Sequence, residues 1–228
     1  MNNERILVFI LAVALLLSIL NNLLSRSNNP PSIPASTTIE KCVAPIDSGK
    51  IVMQNILSRR SVREYTSQPV APELLEKLVR AGMAAPTARN LQPWKFIILN
   101  QPEIMQEIAA QLPYAKMLAA APAAIVVCGD LDKAIKEQPG QEYWIQDCSA
   151  ATENILLAAH GFGLGAVWTG GYPAGERAAA VAKALNLPNN LVVLNVIVIG
   201  YPKSAGQPKD KWKAENLIWN GYPATERR

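Results

Sequence analysis

LVVLNVIVIG, residues 191–200, is apolar throughout except for Asn195 and its closing glycine. A run of this length and uniformity reads as a strand without a wet face, which requires a sheet covered on both sides. Working outward from it, WKFIIL (94–99) and AAIVVCG (123–129) read as two shorter strands of the same kind. The cover is supplied by helical patterns. PELLEKLVRAGMAA (72–85) has Pro72 in a first-turn position and Leu74, Leu75, Leu78, Val79 and Met83 along one face. EYWIQDCSAATENILLAAHG (142–161) is a long helix with Ile145, Cys148, Thr152, Ile155, Leu156 and Ala159 inward, and ERAAAVAKAL (176–185) is a shorter one ahead of Pro188. KIVMQNILSRR (50–60) repeats Val52, Ile56 and Leu57 at helical spacing and ends in arginines that the macrodipole would favour. Helices and strands mix without clean alternation and no internal repeat occurs. The expected class is α+β or three-layer αβα.

The chain has 228 residues, half of them apolar, enough for one domain with a sizeable core. Its 22 Lys and Arg against 18 Asp and Glu leave a charge of +4. That is too mild and scattered for a nucleic-acid footprint, so no nucleic-acid partner is expected. Cys42, Cys128 and Cys148 lack CxxC spacing and read as ordinary thiols. With His160 the single histidine, a multi-histidine metal site is excluded, and its place beside Gly161 reads as an ordinary helix C-terminus. The amino terminus stands apart. From Ile6 to Leu20 one serine is the only polar residue, and SRSNNPPSIPASTTI (25–39) follows as a proline-broken polar tether. Residues 1–24 are expected to be a membrane anchor or an export signal, 25–45 a flexible linker, and 46–228 the folded domain. Which side of the membrane the domain would face is left open by Arg5 and Arg26, which argue in opposite directions.

Three stretches carry groups suited to chemistry. SRRSVREY (58–65) concentrates Arg59, Arg60 and Arg63 with Ser61, planar forks and a hydroxyl that match a phosphate monoester, or else a solvated basic helix end. APTARNLQPWKF (85–96) places Pro86, Asn90 and Gln92 in a loop before a strand, where side-chain amides can read the edge of a planar heterocycle. HGFGLGAVWTGGYP (160–173) contains a spaced glycine pattern, but a helix precedes it and a strand or loop follows, the reverse of a dinucleotide fingerprint. Its glycines are read as finishing the long helix, with Thr169, Gly170 and Gly171 leaving main-chain amides open to a ligand.

Taken in order, RRSVREY, PTARNLQPWKF, the segment from DCSAATENILLAAHG to TGGYP, and VVLNVIVIGYP followed by KDKWKAENLIWN resemble the flavin-dependent nitroreductase family over about residues 50 to 222. The resemblance implies an α+β three-layer sandwich, a mixed central sheet flanked by helices, in an intertwined homodimer with FMN at the subunit interface. It implies that Arg59, Arg60 and Ser61 hold the phosphate and ribityl chain, and that Arg63 lies beside the flavin pyrimidine edge. Pro86, Thr87 and Asn90, with neighbouring Gln92, would reach the flavin, the first two from the partner chain. Thr169 and Gly170, flanked by Trp168 and Gly171, would lie against the ring. Many relatives place an arginine on the phosphate near the end of the chain; here PKDKWK puts Trp212 at that point, with Lys211 or Lys213 as substitute. The implied activity is hydride transfer from NADH or NADPH through FMN to a small acceptor such as a nitroaromatic or quinone. Alternatives are an FMN-binding module without turnover and a specialised reductive dehalogenase-like relative. KAIKEQPGQEYWIQ (133–146) is expected to form part of the pocket cover.

Overall fold

The computed structural model describes residues 47–221, together with residues 16–18 and 20–21. The chain divides into two compact units, residues 1–46 and 47–228. In the first, residues 16–18 and 20–21 are helical and exposed. The remainder of the expected membrane segment, the linker and Cys42 lie outside the described residues. Among the described residues no helix is long and apolar enough to cross a membrane.

The second unit is built on a four-stranded sheet. Its strands are β1 (Trp94–Leu99), β2 (Ala123–Asp130), β3 (Gly165–Gly170) and β4 (Leu191–Gly200), in the order β1-β2-β4-β3. All three strand pairs are antiparallel, and the parallel component is a single isolated bridge between Ser61 and Ala166. Every residue of β2, and of β4 from Val193 onward, is buried, because these two strands occupy the middle of the sheet. The uniformly apolar pattern of 191–200 follows from that position, since both faces of β4 meet helices.

The helices are α1 (Ser48–Ser58), α2 (Pro72–Met83), α3 (Pro102–Gln111), α4 (Tyr143–Gly161) and α5 (Gly175–Ala184). Leu75 and Leu78 of α2 and Cys148, Ala151 and Ile155 of α4 pack with Ile125, Val127, Ile197 and Ile199 on one face. Met105 and Ile108 of α3 and Ala178 and Val181 of α5 pack with Val126, Cys128, Val196 and Val198 on the other. The alternation along β2 and β4 thus feeds two separate cores, giving a three-layer α+β sandwich. Each fully buried leucine or isoleucine contributes on the order of 1.5–3 kcal/mol to that packing. A bulge at Leu194 interrupts the β2–β4 register, Val127 facing Asn195 while Cys128 faces Val193.

Several expectations need correcting. Helix α1 stops at Ser58, and Arg59 is extended at φ −60°, ψ 138°, so the arginines lie beyond the helix rather than on its last turn. None of the α1 residues is buried: Val52, Ile56 and Leu57 are exposed, because α2 and α4 already cover that side of the sheet. Met83, expected inward, is exposed at the end of α2. Helix α3 was unexpected, although Pro102 at its first turn and buried Met105, Ile108 and Ala109 mark it in the sequence.

Candidate functional site

Residues 59–66 leave α1 and run along the open edge of β3. The Val62 amide donates to the Ala166 carbonyl at 3.0 Å, the Thr66 amide to Tyr201 at 2.8 Å, and the Lys203 amide to Glu64 at 3.1 Å. Tyr65 pins the turn from beneath, its hydroxyl donating to the carbonyls of Val62 at 2.6 Å and Val198 at 3.1 Å. Burial pushes that phenol far above its ordinary range, so it stays a neutral donor. The approach requires glycine opposite the turn, since a Cβ on Gly165 would lie 2.7 Å from Val62. Two residues of α4 reach the same turn. Glu153 pairs with the Arg59 Nε at 3.0 Å, and His160 Nε2 lies 2.8 Å from Ser58 Oγ. The Ser58 hydroxyl already donates to Gln54 at 2.7 Å, so His160 Nε2 is the donor of that pair. Burial first, then Arg60 and Arg59, hold the imidazole below its ordinary pKa.

The turn forms one wall of a cleft of about 1230 Å³, with the segment 204–212 as the other. Arg59, Arg60, Ser61, Arg63 and Lys211 all line it, joined by Lys209 and Trp212. Five cations therefore face two acids, Glu64 and Asp210, a field suited to a dianion. Gly206, at φ +51°, lets the Arg60 side chain lie against the backbone: a Cβ there would come within 2.8 Å of the Arg60 Nε. Lys213 does not line the cleft, which separates it from Lys211.

Arg63 also lines a second cavity of about 180 Å³, with Trp168, Thr169, Gly170, Tyr114, Met117 and Arg177. Here β3 is the edge strand, and Ala166 spends its outward main-chain groups on the arginine turn. By strand alternation the outward groups of Trp168 and Gly170 come next along the same edge. The Thr169 hydroxyl donates to the Val196 carbonyl at 2.7 Å, so its side chain is committed to the sheet. Gly171 departs from expectation. It is buried, and its amide donates to the Leu194 carbonyl at 2.9 Å, turned outward by the bulge in β4. Gly163, at φ +76°, ends α4 as read from the sequence.

The remaining expected residues lie elsewhere. Pro86, Thr87, Asn90 and Gln92 line neither of these two cavities. They occupy a loop in which Arg89, Asn90 and Gln92 all adopt positive φ, at 52°, 55° and 52°. Such conformations cost non-glycine residues roughly 1 kcal/mol or more apiece and persist only where the surroundings fix them. The fixing contacts are the Gln92 amide to Thr87 Oγ1 at 3.2 Å, Gln92 Nε2 to Asn90 Oδ1 at 3.0 Å, and the Ala88 amide to Asp147 Oδ1 at 2.9 Å. Asp147 is a buried residue of α4. Desolvation raises its carboxyl pKa, partly offset by the bond from Ala88. Segment 133–146, expected to form part of the pocket cover, lines neither of these two cavities either. Cys128 and Cys148 are buried free thiols pushed up to about 12. Sequence reasoning missed Tyr65, Asp147, Glu153 and Arg177. Only Asp147, an acid among the inward positions of a helix, carried a legible signal.

The nitroreductase family model matches residues 56–112 and 105–201. A candidate NADH dehydrogenase/NAD(P)H nitroreductase of Archaeoglobus fulgidus is 43% identical over 164 residues, 72% of this chain and 91% of the relative. The crystal structure of a candidate NADH dehydrogenase/NAD(P)H nitroreductase from Parabacteroides distasonis superposes with a TM-score of 0.72 at 45% identity, covering 75% of this chain and 99% of that one. A candidate nitroreductase from Desulfovibrio desulfuricans in complex with FMN superposes with a TM-score of 0.66 at 32% identity, covering 75% and 98%. With matches that span the arginine turn, the long helix and the final strand alike, the chain belongs to the nitroreductase family.

Proposed function

We propose that the protein is an FMN-dependent oxidoreductase that passes hydride from NADH or NADPH to a small acceptor such as a nitroaromatic or a quinone. The observation that carries this reading is the place of Arg63 in the lining of both cavities. One is a strongly cationic cleft, the other a smaller aromatic-walled cavity at an open strand edge. A mononucleotide has that polarity, a dianionic tail and a planar ring, and FMN accompanies the Desulfovibrio relative. When bound, FMN supplies the relay of two electrons and a proton between donor and acceptor.

The chain's own residues then divide the work. Arg59, Arg60, Ser61 and Lys211 hold the phosphate end, with Glu153 orienting Arg59. Arg63 places a cation at the ring's pyrimidine edge, where negative charge accumulates on reduction. The outward main-chain groups of Trp168 and Gly170 border the ring. Pro86, Thr87, Asn90 and Gln92 lie away from both cavities, so they serve the flavin of a second copy in a homodimer. The exposed apolar side chains of α1 beside the cleft form part of the dimer contact.

Anaerobic titration of the purified protein with NADH and with NADPH tests the activity directly. Bleaching of a bound flavin, followed by recovery on adding a quinone or nitroaromatic, is the expected result. Yellow protein that neither nicotinamide bleaches would instead mark an FMN-binding module without turnover. The proposal extends to attachment of the domain to a membrane through residues 1–24, on the strength of the apolar run 6–20. Retention in the membrane fraction after alkaline carbonate extraction, combined with protease accessibility on intact cells, tests attachment and sidedness together. Full release by carbonate would argue against an anchor.

A further inference from the structure

We propose that Arg177 and Tyr114 form a recognition site for a carboxylate carried on a planar aromatic electron acceptor. This rests on the oxidoreductase reading above and names the class of acceptor that the site takes. Arg177 stands in the first turn of α5, where a cation opposes the positive end of the macrodipole, so helix stability does not account for it. Its guanidinium carbon lies 5.1 Å from the centre of the Tyr114 ring, within cation–π reach. Tyr114 is 78% exposed, so core packing does not account for it either. The contact holds the guanidinium beside the cavity at the open edge of β3.

The charge balance of that cavity points to an anion. Its lining includes two guanidiniums, Arg63 and Arg177, and no carboxylate. Among the described residues neither arginine makes an ion pair. The phosphate of a mononucleotide is already provided for by Arg59, Arg60, Ser61 and Lys211 in the larger cleft, which Arg177 does not line. Arg63 is common to both spaces and belongs to the ring. Arg177 is the remaining cation, and its planar fork matches the two oxygens of a carboxylate. On the Arg177 side of the cavity, away from Trp168 and Gly170, Tyr114 offers a flat aromatic face to a single substituted ring.

The test uses FMN-loaded wild type, Arg177→Gln and Arg177→Lys, with NADH oxidation measured against 4-nitrobenzoate and nitrobenzene. In wild type the carboxylated acceptor is expected to have the lower KM. Arg177→Gln should raise the KM ratio of 4-nitrobenzoate to nitrobenzene by about tenfold to a hundredfold, the range of one charge-assisted hydrogen bond. Arg177→Lys should recover part of the loss. Benzoate binding, read from the flavin spectrum without turnover, should weaken by the same factor. An unchanged ratio, loss of FMN alongside the ratio, or a shift in NADPH against NADH preference would each overturn the assignment, the last by giving Arg177 to a phosphate. Wild type that binds benzoate but oxidises no NADH with either acceptor would remove the oxidoreductase reading and leave the anion site standing. Wild type that does not bind benzoate overturns the site itself.

Discussion

Arg59 and Arg63 sit four residues apart in one turn yet face different neighbours, and their substitutions separate. Arg59 is paired with Glu153 and lines the larger cleft only, whereas Arg63 lines both cavities. Arg59→Ala is expected to weaken FMN retention with little change in reduction potential. Arg63→Ala should also move the potential to more negative values by about 30 mV, near 1.4 kcal/mol for a two-electron couple. Spectroelectrochemistry on the two variants checks this, and equal potentials would refute the division. Asp147 accepts the Ala88 amide from a buried position. Asp147→Ala should cost about 1–3 kcal/mol, the penalty of an unpaired buried donor. Asp147→Asn keeps an acceptor and sheds the desolvated charge, so its denaturation midpoint at neutral pH should match or exceed wild type. The sign is set by the raised carboxyl pKa: between 3.8 and the folded value the native chain binds the extra proton, so the Asp147 contribution to stability falls as pH rises through that window. His160 acts on the other side. With its imidazole held below 6.5, the unfolded chain takes up the proton first, so stability drops as pH falls below 6.5. His160→Gln should remove that slope in urea midpoints measured at about pH 7.5 and about pH 5.5. Arg59, Ser61 and Arg63 were legible as residues because charge and spacing are properties of the chain. Glu153 was not, because its partner Arg59 lies far along the sequence, and Tyr65 was not, because its tie to the sheet runs through the distant Val198.

At the scale of elements, α4 links the two parts of the proposed site. Asp147 near its start holds the 86–92 loop, Glu153 in its middle holds Arg59, and His160 at its end holds Ser58. One helix thereby fixes the spacing between the loop and the arginine turn, since each residue adds about 1.5 Å of rise. The edge of β3 matters equally. Gly165→Ala would drive a Cβ to 2.7 Å from Val62, and the turn must move because the strand is held by β4. A destabilisation of about 1–3 kcal/mol is expected. FMN content should fall out of proportion to it, measured as the absorbance ratio of flavin to protein. An Ala variant with full FMN content would show that the turn can give way without losing its grip. The periodicities of α2, α4 and β4 were visible in the sequence because burial imposes them on contiguous residues. Strand β3 was blurred by its glycines, and α1 misled because its apolar face meets no core of its own chain.

The whole molecule is defined by two cores around one sheet and by an apolar helix left outside them. Ile51, Val52, Met53, Ile56 and Leu57 are all exposed on α1, more apolar surface than one short helix of a monomer ordinarily leaves in water. If a second copy covers it, Ile51→Glu should weaken the dimer at least tenfold, about 1.4 kcal/mol, and FMN should dissociate as monomer appears in sedimentation runs. A dimer of unchanged strength with full FMN would place the contact elsewhere. By itself the sequence determined the class of fold, the helix and strand faces that build both cores, and the positive charge of residues 59–63, because each is written in adjacent residues and their periodicity. Only the tertiary structure decided that Arg63 lines two cavities, that the Gly171 amide is bonded to the Leu194 carbonyl, that the 86–92 loop stands apart from both cavities, and that Arg177 shares a cavity with Arg63. Those facts depend on strand order, on one bulge and on contacts between residues more than a hundred positions apart, and no local pattern encodes a distance of that kind.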